Sequence, residues 1–447
     1  MPSPSQIATQ QARNRFGLGA RPGETPPTDP QAWLAAQLDG PDPGLTSPAF
    51  ASLPSAADAL TARRADLIER KHILAEGLKL KGNFKPRALA MLHQDAQAQL
   101  DFALTTQAPF RERLVWFWAN HFTVSTRQGG VQPLVGPFLR EAIRPHVTGS
   151  FTDMVLAVER HPAMLLYLGN AFSAGPNSRL GQRTHRGLNE NLGRECMELH
   201  TVSLRAGYHQ ADVTNMAKLL TGWSINPHHQ PTGFMFRPFM HEPGPQTVMG
   251  HTFPAGEAGG IAALRFLSTY PTTWTALATK LTRHFIADQP PQAAITRIAT
   301  ILAKTGGDLR AASLALIDLP QAQTPLTKIK TPFEYLISGL RAGGLTSLPV
   351  QAYLGALNRL GQPLWRAPLP NGWSDLGADW SGSDAVMGRI DFGYTLAARL
   401  QNTDPLALAT AALGPLLRPA TLTALRQAGS KREAISLLFA APEFQRR

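Results

Sequence analysis

The sequence predicts a mainly α protein: a large helical bundle-like domain with one small β-hairpin near 232–253 and long irregular loops. Three observations carry this. Most stretches between Pro/Gly breaks repeat apolar residues at i, i+3, i+4 and i+7. Helix starts are marked by proline at the first position, as at Pro162, and by a Thr cap with proline behind it at Thr331-Pro332. Only the stretch from Phe234 to Phe253 reads as paired strands. With 447 residues, 43% of them hydrophobic, the chain can bury a sizeable core. We read 1–447 as one domain with a helical arm over 1–55, a core over 56–345 holding a polar helix at 189–201, and a Trp-rich loop with helices over 346–447. No internal repeat or low-complexity tract interrupts it.

Taken in order, 5–40 holds two short helices around Phe16-Gly17-Leu18-Gly19. A Pro-rich loop follows that glycine pair where a dinucleotide site needs a strand-to-helix crossover, so that fingerprint is excluded. A Pro/Ser linker over 41–55 precedes long helices at 56–80 and 86–107. In the helix 111–122, Leu114, Phe117, Trp118 and His121 share one face, which buries His121. A lone histidine there is more often a core residue satisfied by a hydrogen bond than a ligand, yet with Asn120 beside it the imidazole needs polar partners. Helices follow at 133–146, 151–159 and 161–168. The Gly/Asn/Ser/Arg-rich stretch 169–188 reads as a long loop, a lid or a plain connector. Asp212 is expected to cap a helix over 213–220 that ends at Thr221-Gly222-Trp223, and Phe234 to Phe236 to pair with Val248 to Phe253. Helices return over 259–345, among them 274–286 and 331–341. Between 361 and 383 stand Trp365, Trp373 and Trp380, either a sugar-stacking platform or, more commonly, a loop pinned over the core by its aromatics. The tail 384–447 is helical.

The densest chemistry lies at 189–201. On a regular helix Glu190, Asn191, Arg194, Glu195 and Glu198 fall within an arc of roughly 140°, beside an apolar stripe of Leu192, Cys196 and Leu199. His200 projects almost opposite Glu198, so these two cannot chelate one ion while the helix stays regular. The bland reading is a surface ladder of ion pairs through Glu190, Arg194 and Glu198. Against it, Glu195 borders the apolar stripe, where partial burial raises a carboxyl toward acid–base work. Arg194 suits an anionic substrate.

Lys and Arg number 43 against 31 Asp and Glu, a balance of +12 that favours an anionic partner. The basic residues are scattered, which argues against specific nucleic-acid binding. The single cysteine, Cys196, excludes an intrachain disulfide and reads as a buried small hydrophobe. The start lacks an apolar signal core and no run is long enough to span a bilayer, so the expectation is a cytoplasmic protein.

The order and spacing of these landmarks resemble the bacterial family called domain of unknown function 1800. The matching pieces run from Arg15-Phe16-Gly17, Trp33-Leu34 and Gln37-Leu38 through Trp118, Asn120-His121-Phe122, His161-Pro162-Ala163-Met164 and Tyr167-Leu168. They continue with Asn189-Glu190-Asn191, Arg194-Glu195, Glu198-Leu199-His200-Thr201, Gly207-Tyr208, Asp212-Val213 and Leu220-Thr221-Gly222-Trp223. His241, Gly244, Gly250, Lys328 to Pro332, Arg341, Gly361-Gln362, Gly372-Trp373 and Trp380 complete the set. The resemblance implies a large helical bacterial protein, often encoded beside a phosphatase- or sulfatase-like protein of the family called domain of unknown function 1501. It brings no reaction with it. Two departures stand out. Glu242 and Gln246 replace the Asp and Lys usual in the family this chain resembles, so any anion-binding role of that Lys is weakened here or passes to Arg237. The export signal of many relatives is also missing, so a periplasmic location would require co-export with a partner.

The expectation is therefore an enzyme, hydrolase- or transferase-like, acting on an anionic or polyhydroxylated envelope-type substrate. Glu195, Glu198 and His121 are the expected catalytic groups, and Asn191, Arg194, Asn120, His241 and Trp223 the expected substrate contacts. The same carboxylates suit a divalent metal ion, with Glu195, Glu198, His121 and His241 as its ligands. The alternative is a non-catalytic partner or maturation factor of the phosphatase-like neighbour.

Overall fold

Side chains at the helix starts divide this chain into many short helices. Ser3, Ser55 and Thr331 each close a capping box, and Asp29, Asp308, Asp404 and Ser430 each accept a first-turn amide. In the computed structural model, which describes residues 3–184, 187–227 and 232–447, the result is 23 α-helices with strands confined to two small antiparallel pairs. The mainly α class is as the sequence predicts. No helix of the described residues is long and apolar enough to cross a membrane.

Six helices position the chemistry: α1 (Pro109–His121), α2 (Phe151–Arg160), α3 (Asn191–Glu195), α4 (Pro271–Phe285), α5 (Pro332–Ala342) and α6 (Ser383–Ala397). Buried apolar side chains gather into two clusters. The first takes Leu114, Phe117 and Trp118 of α1, Val155 of α2, Cys196 after α3 and Leu277 and Phe285 of α4. The second takes Tyr335, Leu336 and Leu340 of α5, Leu396 of α6, and Ile435 and Phe439 of the C-terminal helices. Trp116 packs against both. The segment 1–55 is woven into these clusters. Phe16 stacks on Phe285 with centroids 5.7 Å apart, Leu18 joins the second cluster, and Arg15 donates to the Ile286 and Thr324 carbonyls.

Four local readings are corrected. The expected single hairpin is two: β1 (Trp223–Asn226) pairs with β2 (Gly233–Phe236), and β3 (Gln246–Val248) with β4 (His251–Phe253). Met249 and Gly250 both have positive φ, 49° and 80°, so a two-residue turn folds 246–253 on itself and leaves β2 to pair with the run after Gly222. Asp212 is the third residue of its helix, Gln210–Leu219. Its Oδ2 accepts the His209 N–H in a capping box. The stretch 169–188 holds a short helix, Arg179–Thr184. Gly175 N–H donates to the Met240 carbonyl and Asn177 to Glu242; residues 185 and 186 lie outside the described ones. The linker 41–55 contains the turn of helix Pro48–Ala51.

Arg144, fully buried, anchors the first cluster to its surroundings. Its guanidinium meets Glu112 at 2.7 Å and Asp42 at 3.4 Å, donates to Gln99, and lies over the Phe50 and Phe102 rings. Removing one partner strands the other charge in a dry site. Arg144→Met is expected to lower the unfolding free energy by about 3–5 kcal/mol in denaturant titrations; a loss under about 1 kcal/mol would show that Glu112 and Asp42 are not held by this charge.

Candidate functional site

One face of α1 beside the predicted apolar stripe carries Arg113, Trp116 and Asn120, at i, i+3 and i+7. These side chains line a cleft between the two apolar clusters. His284 from the last turn of α4, Phe333 and Glu334 from the first turn of α5, and Trp365, Trp373 and Asp375 from the loop 361–380 complete it.

The loop wall is held at several points. The Asn120 amide donates to the Trp373 carbonyl at 2.8 Å and accepts the Trp373 N–H at 2.7 Å. Gly372 permits that approach. It has φ of 78°, and a Cβ there would stand 2.5 Å from the Asn120 carbonyl oxygen. Lys328 donates to the Asp375 carbonyl, and the Trp380 indole N–H to that of Ser374. Trp365 has φ of 53°, a conformation that bulky side chains avoid. It is kept there by Thr126, whose N–H and hydroxyl both donate to its carbonyl.

The cleft floor is a buried charge network. Arg113 meets Glu334 Oε1 at 2.8 Å, and Arg447 Nε meets Glu334 Oε2 at 2.7 Å. His284 Nδ1 lies 2.6 Å from Asp375 Oδ1, and His284 Nε2 lies 3.3 Å from Arg113 Nη2. Arg113 can only donate, so the partners assign a neutral imidazole with its proton on Nδ1, donated to Asp375. Burial pushes His284 down to about 4 against the pull of Asp375. Burial works to raise Glu334, but the Arg113 and Arg447 charges outweigh it and hold that carboxyl at about 2. Asp375 is likewise held well below the carboxylate range by His284 and Arg447, against burial. With Lys328 paired to Asp288, three cations face three carboxylates. Burial also lowers Lys330, behind the floor, to about 7.

Of the predicted site residues only Asn120 lines this cleft, and both ends of its amide are taken by the Trp373 backbone. His121 faces the other way. Its Nε2 donates to the His200 carbonyl and its Nδ1 accepts from Lys280, while burial and the Lys280 charge keep it neutral well below its ordinary pKa. His241 is a structural clip, donating from Nδ1 to the Thr221 carbonyl and accepting the Gly256 N–H at Nε2. The expected metal set of Glu195, Glu198, His121 and His241 is therefore not assembled, because all four imidazole nitrogens are occupied. Trp223 is a core side chain of β1, edge-on to Phe234. Glu190 and Arg194 form the expected surface pair at 3.0 Å, extended by Gln210 and Thr214, and Asn191 is exposed. Glu195 and Glu198 are half-buried and accept no hydrogen bond from the described residues. Burial raises Glu195, with His200 opposing and Glu198 adding to the rise. They border Tyr167 and Tyr208, whose hydroxyls burial and these carboxylates push up to about 12.

The helix does not stay regular through this segment. After α3 the chain winds as a π-helix, Cys196–His200, and the wider turn brings His200 inward with Cys196. Both are buried, and His200 Nδ1 lies 2.6 Å from Glu159 Oε1 of α2. Sequence reasoning turned His200 away by assuming 3.6 residues per turn, and it missed Glu159 because that partner lies 41 residues away in the chain. It missed His284, Glu334 and Asp375 because they are far apart in the chain, although the Arg113-Trp116-Asn120 stripe was there to be read.

A family model described as Protein of unknown function (DUF1800) matches residues 11–446. No curated protein and no solved structure matches the chain.

The His284 shift has a pH signature. An unfolded histidine takes its proton near 6.5, the folded one only near 4, so stability is lost as pH falls through that window. Glu334 contributes in full above its ordinary 4.5 and loses its share only as pH falls toward 2. His284→Asn is expected to remove about 2–3 kcal/mol of the stability difference between pH 7 and pH 4.5. Denaturant titrations of both proteins at the two pH values check this, since the other histidines contribute equally to each. Equal pH dependence in the two would mean that His284 is charged in the folded chain.

Proposed function

The chain belongs to the DUF1800 family, and we propose that it is an enzyme, hydrolase- or transferase-like, taking a polyhydroxylated envelope-type substrate into the indole-walled cleft. The observation that carries this is a neutral His284, bound to Asp375, at the floor of a cleft walled by Trp116, Trp365 and Trp373. Sugar rings present flat C–H faces that stack on indoles, and their hydroxyls suit a floor of paired charges. That floor is balanced, three cations against three carboxylates, so selection for hydroxyl groups is better supported than selection for net negative charge.

In this reading a substrate displaces the Arg113 contact from His284 Nε2 and His284 moves a proton there, while Asp375 fixes its tautomer and stabilises the imidazolium. This relocates the acid–base role from Glu195 and Glu198. Among the described residues no serine, threonine or cysteine hydrogen-bonds to His284, which favours acid–base chemistry on substrate and water over a covalent intermediate. Drawing Arg113 away raises the imidazole only in part, because burial is the largest cause of its low value.

A second reading, a non-catalytic partner of a phosphatase- or sulfatase-like protein, is favoured by one feature. Val386, Met387, Ile390 and Tyr394 form an exposed stripe along α6.

Soluble oligosaccharides from bacterial envelopes, titrated while tryptophan fluorescence is followed and product is read by mass spectrometry, test both readings. Trp373→Ala is expected to weaken binding about tenfold, the worth of one stacked ring. His284→Asn is expected to bind within about threefold of wild type and to lose turnover about a hundredfold or more. Undiminished turnover in His284→Asn would end the assignment of His284, and absence of binding by any oligosaccharide would end the cleft reading. If the partner reading holds instead, co-expression with the neighbouring phosphatase-like protein gives a complex that Met387→Glu disrupts.

A further inference from the structure

Glu159, Cys196 and His200 converge inside the first apolar cluster with one ligand atom each, all within 4.8 Å of one another. They are 0%, 0% and 1% exposed. We infer that they form a buried site for one dication of the zinc class, pinning α2 to the π-helical turn. This is independent of the cleft and of any activity there.

Three observations support the site. First, Cys196 and His200 stand four apart on one helical turn, a spacing that places both side chains on the same face, and both are buried against Glu159 of α2. Second, Glu159 Oε2 is buried with no nitrogen or oxygen donor among the described residues and only the weak thiol donor of Cys196 near the carboxylate, while Oε1 meets His200 Nδ1. A fully buried carboxylate oxygen without a donor costs about 1–3 kcal/mol or more, and a cation satisfies it. Third, the chemistry balances. A thiolate, a carboxylate and a neutral imidazole cancel the two charges of the ion, leaving a neutral site in an apolar core. Binding releases the Cys196 thiol proton to solvent, with no change of oxidation state.

The geometry is close to what such an ion needs. Tetrahedral zinc, with bonds of about 2.0–2.3 Å, holds its donors about 3.3–3.6 Å apart. The Glu159–His200 pair, at 2.6 Å, must open by under about an ångström, and the pairs with Cys196, within 4.8 Å, close by no more than about 1.5 Å. The mixed sulfur, nitrogen and oxygen set selects a borderline cation over calcium or magnesium, which take oxygen ligands. The competing reading is a metal-free cluster in which imidazole and thiol hydrogen-bond to Glu159.

The full chain, produced with added zinc and purified without chelator, is expected to carry close to one metal per chain by elemental analysis. Unfolding with chelator and refolding with cobalt(II) is expected to give a sulfur-to-cobalt charge-transfer band in the near ultraviolet, absent in Cys196→Ser. If Cys196→Ser does not fold, the wild type still decides. Refolded with and without cobalt or zinc, it is expected to melt higher with metal. Purified protein without metal, together with no charge-transfer band and no shift in melting on refolding with either ion, would overturn the site.

Discussion

The constraint on which this structure depends is the electrostatic seam between its two apolar clusters. Arg113, Glu334, Arg447, Asp375 and His284 come from α1, α5, the loop 361–380, α4 and the chain's last residue. All but Asp375, whose side chain is 19% exposed, are nearly or wholly withdrawn from water, and an isolated charge there would cost several kcal/mol. The network is tolerable only when all of its members are present, so the two clusters can pack in one relative arrangement and few others. Such a seam cannot be sealed by apolar side chains without stranding a charge. It therefore leaves a polar floor beneath an aromatic cleft, and the site is a by-product of how the cores are joined.

The wall over that floor is rigid for reasons that can be named. The loop 361–380 has little regular structure of its own, yet the Asn120 amide, Lys328 and the Trp380 indole tie it to its surroundings and to itself. Gly372 lets it approach α1 where any side chain would collide. The unfavourable backbone of Trp365 is maintained by two hydrogen bonds from Thr126. Strain of about 1–3 kcal/mol persists where the surroundings over-determine it. Here it fixes the direction of an indole lining the cleft, so the cavity is formed before any ligand arrives.

How much of this was legible in the sequence follows from the range of each interaction. Helix starts depend on neighbours three residues apart, and Thr331-Pro332 foretold a real cap. The apolar stripe of α1 is also local, and Leu114, Phe117, Trp118 and His121 are buried as their spacing demanded. The second role of Glu334 was hidden. The same carboxylate that closes the capping box at Thr331 also neutralises Arg113 and Arg447, which no spacing rule reports. The segment 189–201 misled differently. Its polar density was real, but a π-helical turn rotated His200 into the core, and the most visible charges proved to be a solvated ladder through Glu190 and Arg194. The hairpins failed for a smaller reason, since a positive φ at Met249 is not written in a methionine.

The net charge of +12 acts at a different place from the cleft. Within the floor cations and carboxylates match, and most of the remaining basic side chains are exposed or half-buried, where salt screens them beyond about 8 Å at physiological ionic strength. A field of that kind draws anionic surfaces toward the protein and sets how often the two meet. It does not choose what enters between Trp116, Trp365 and Trp373, where contact is short-ranged and depends on stacking and on hydrogen bonds to a neutral floor. Attraction and selection are thus separable in this chain. Encounter should weaken with added salt, whereas the affinity of an uncharged oligosaccharide for the cleft should not. This distinguishes recognition by the cleft from adhesion by a basic surface.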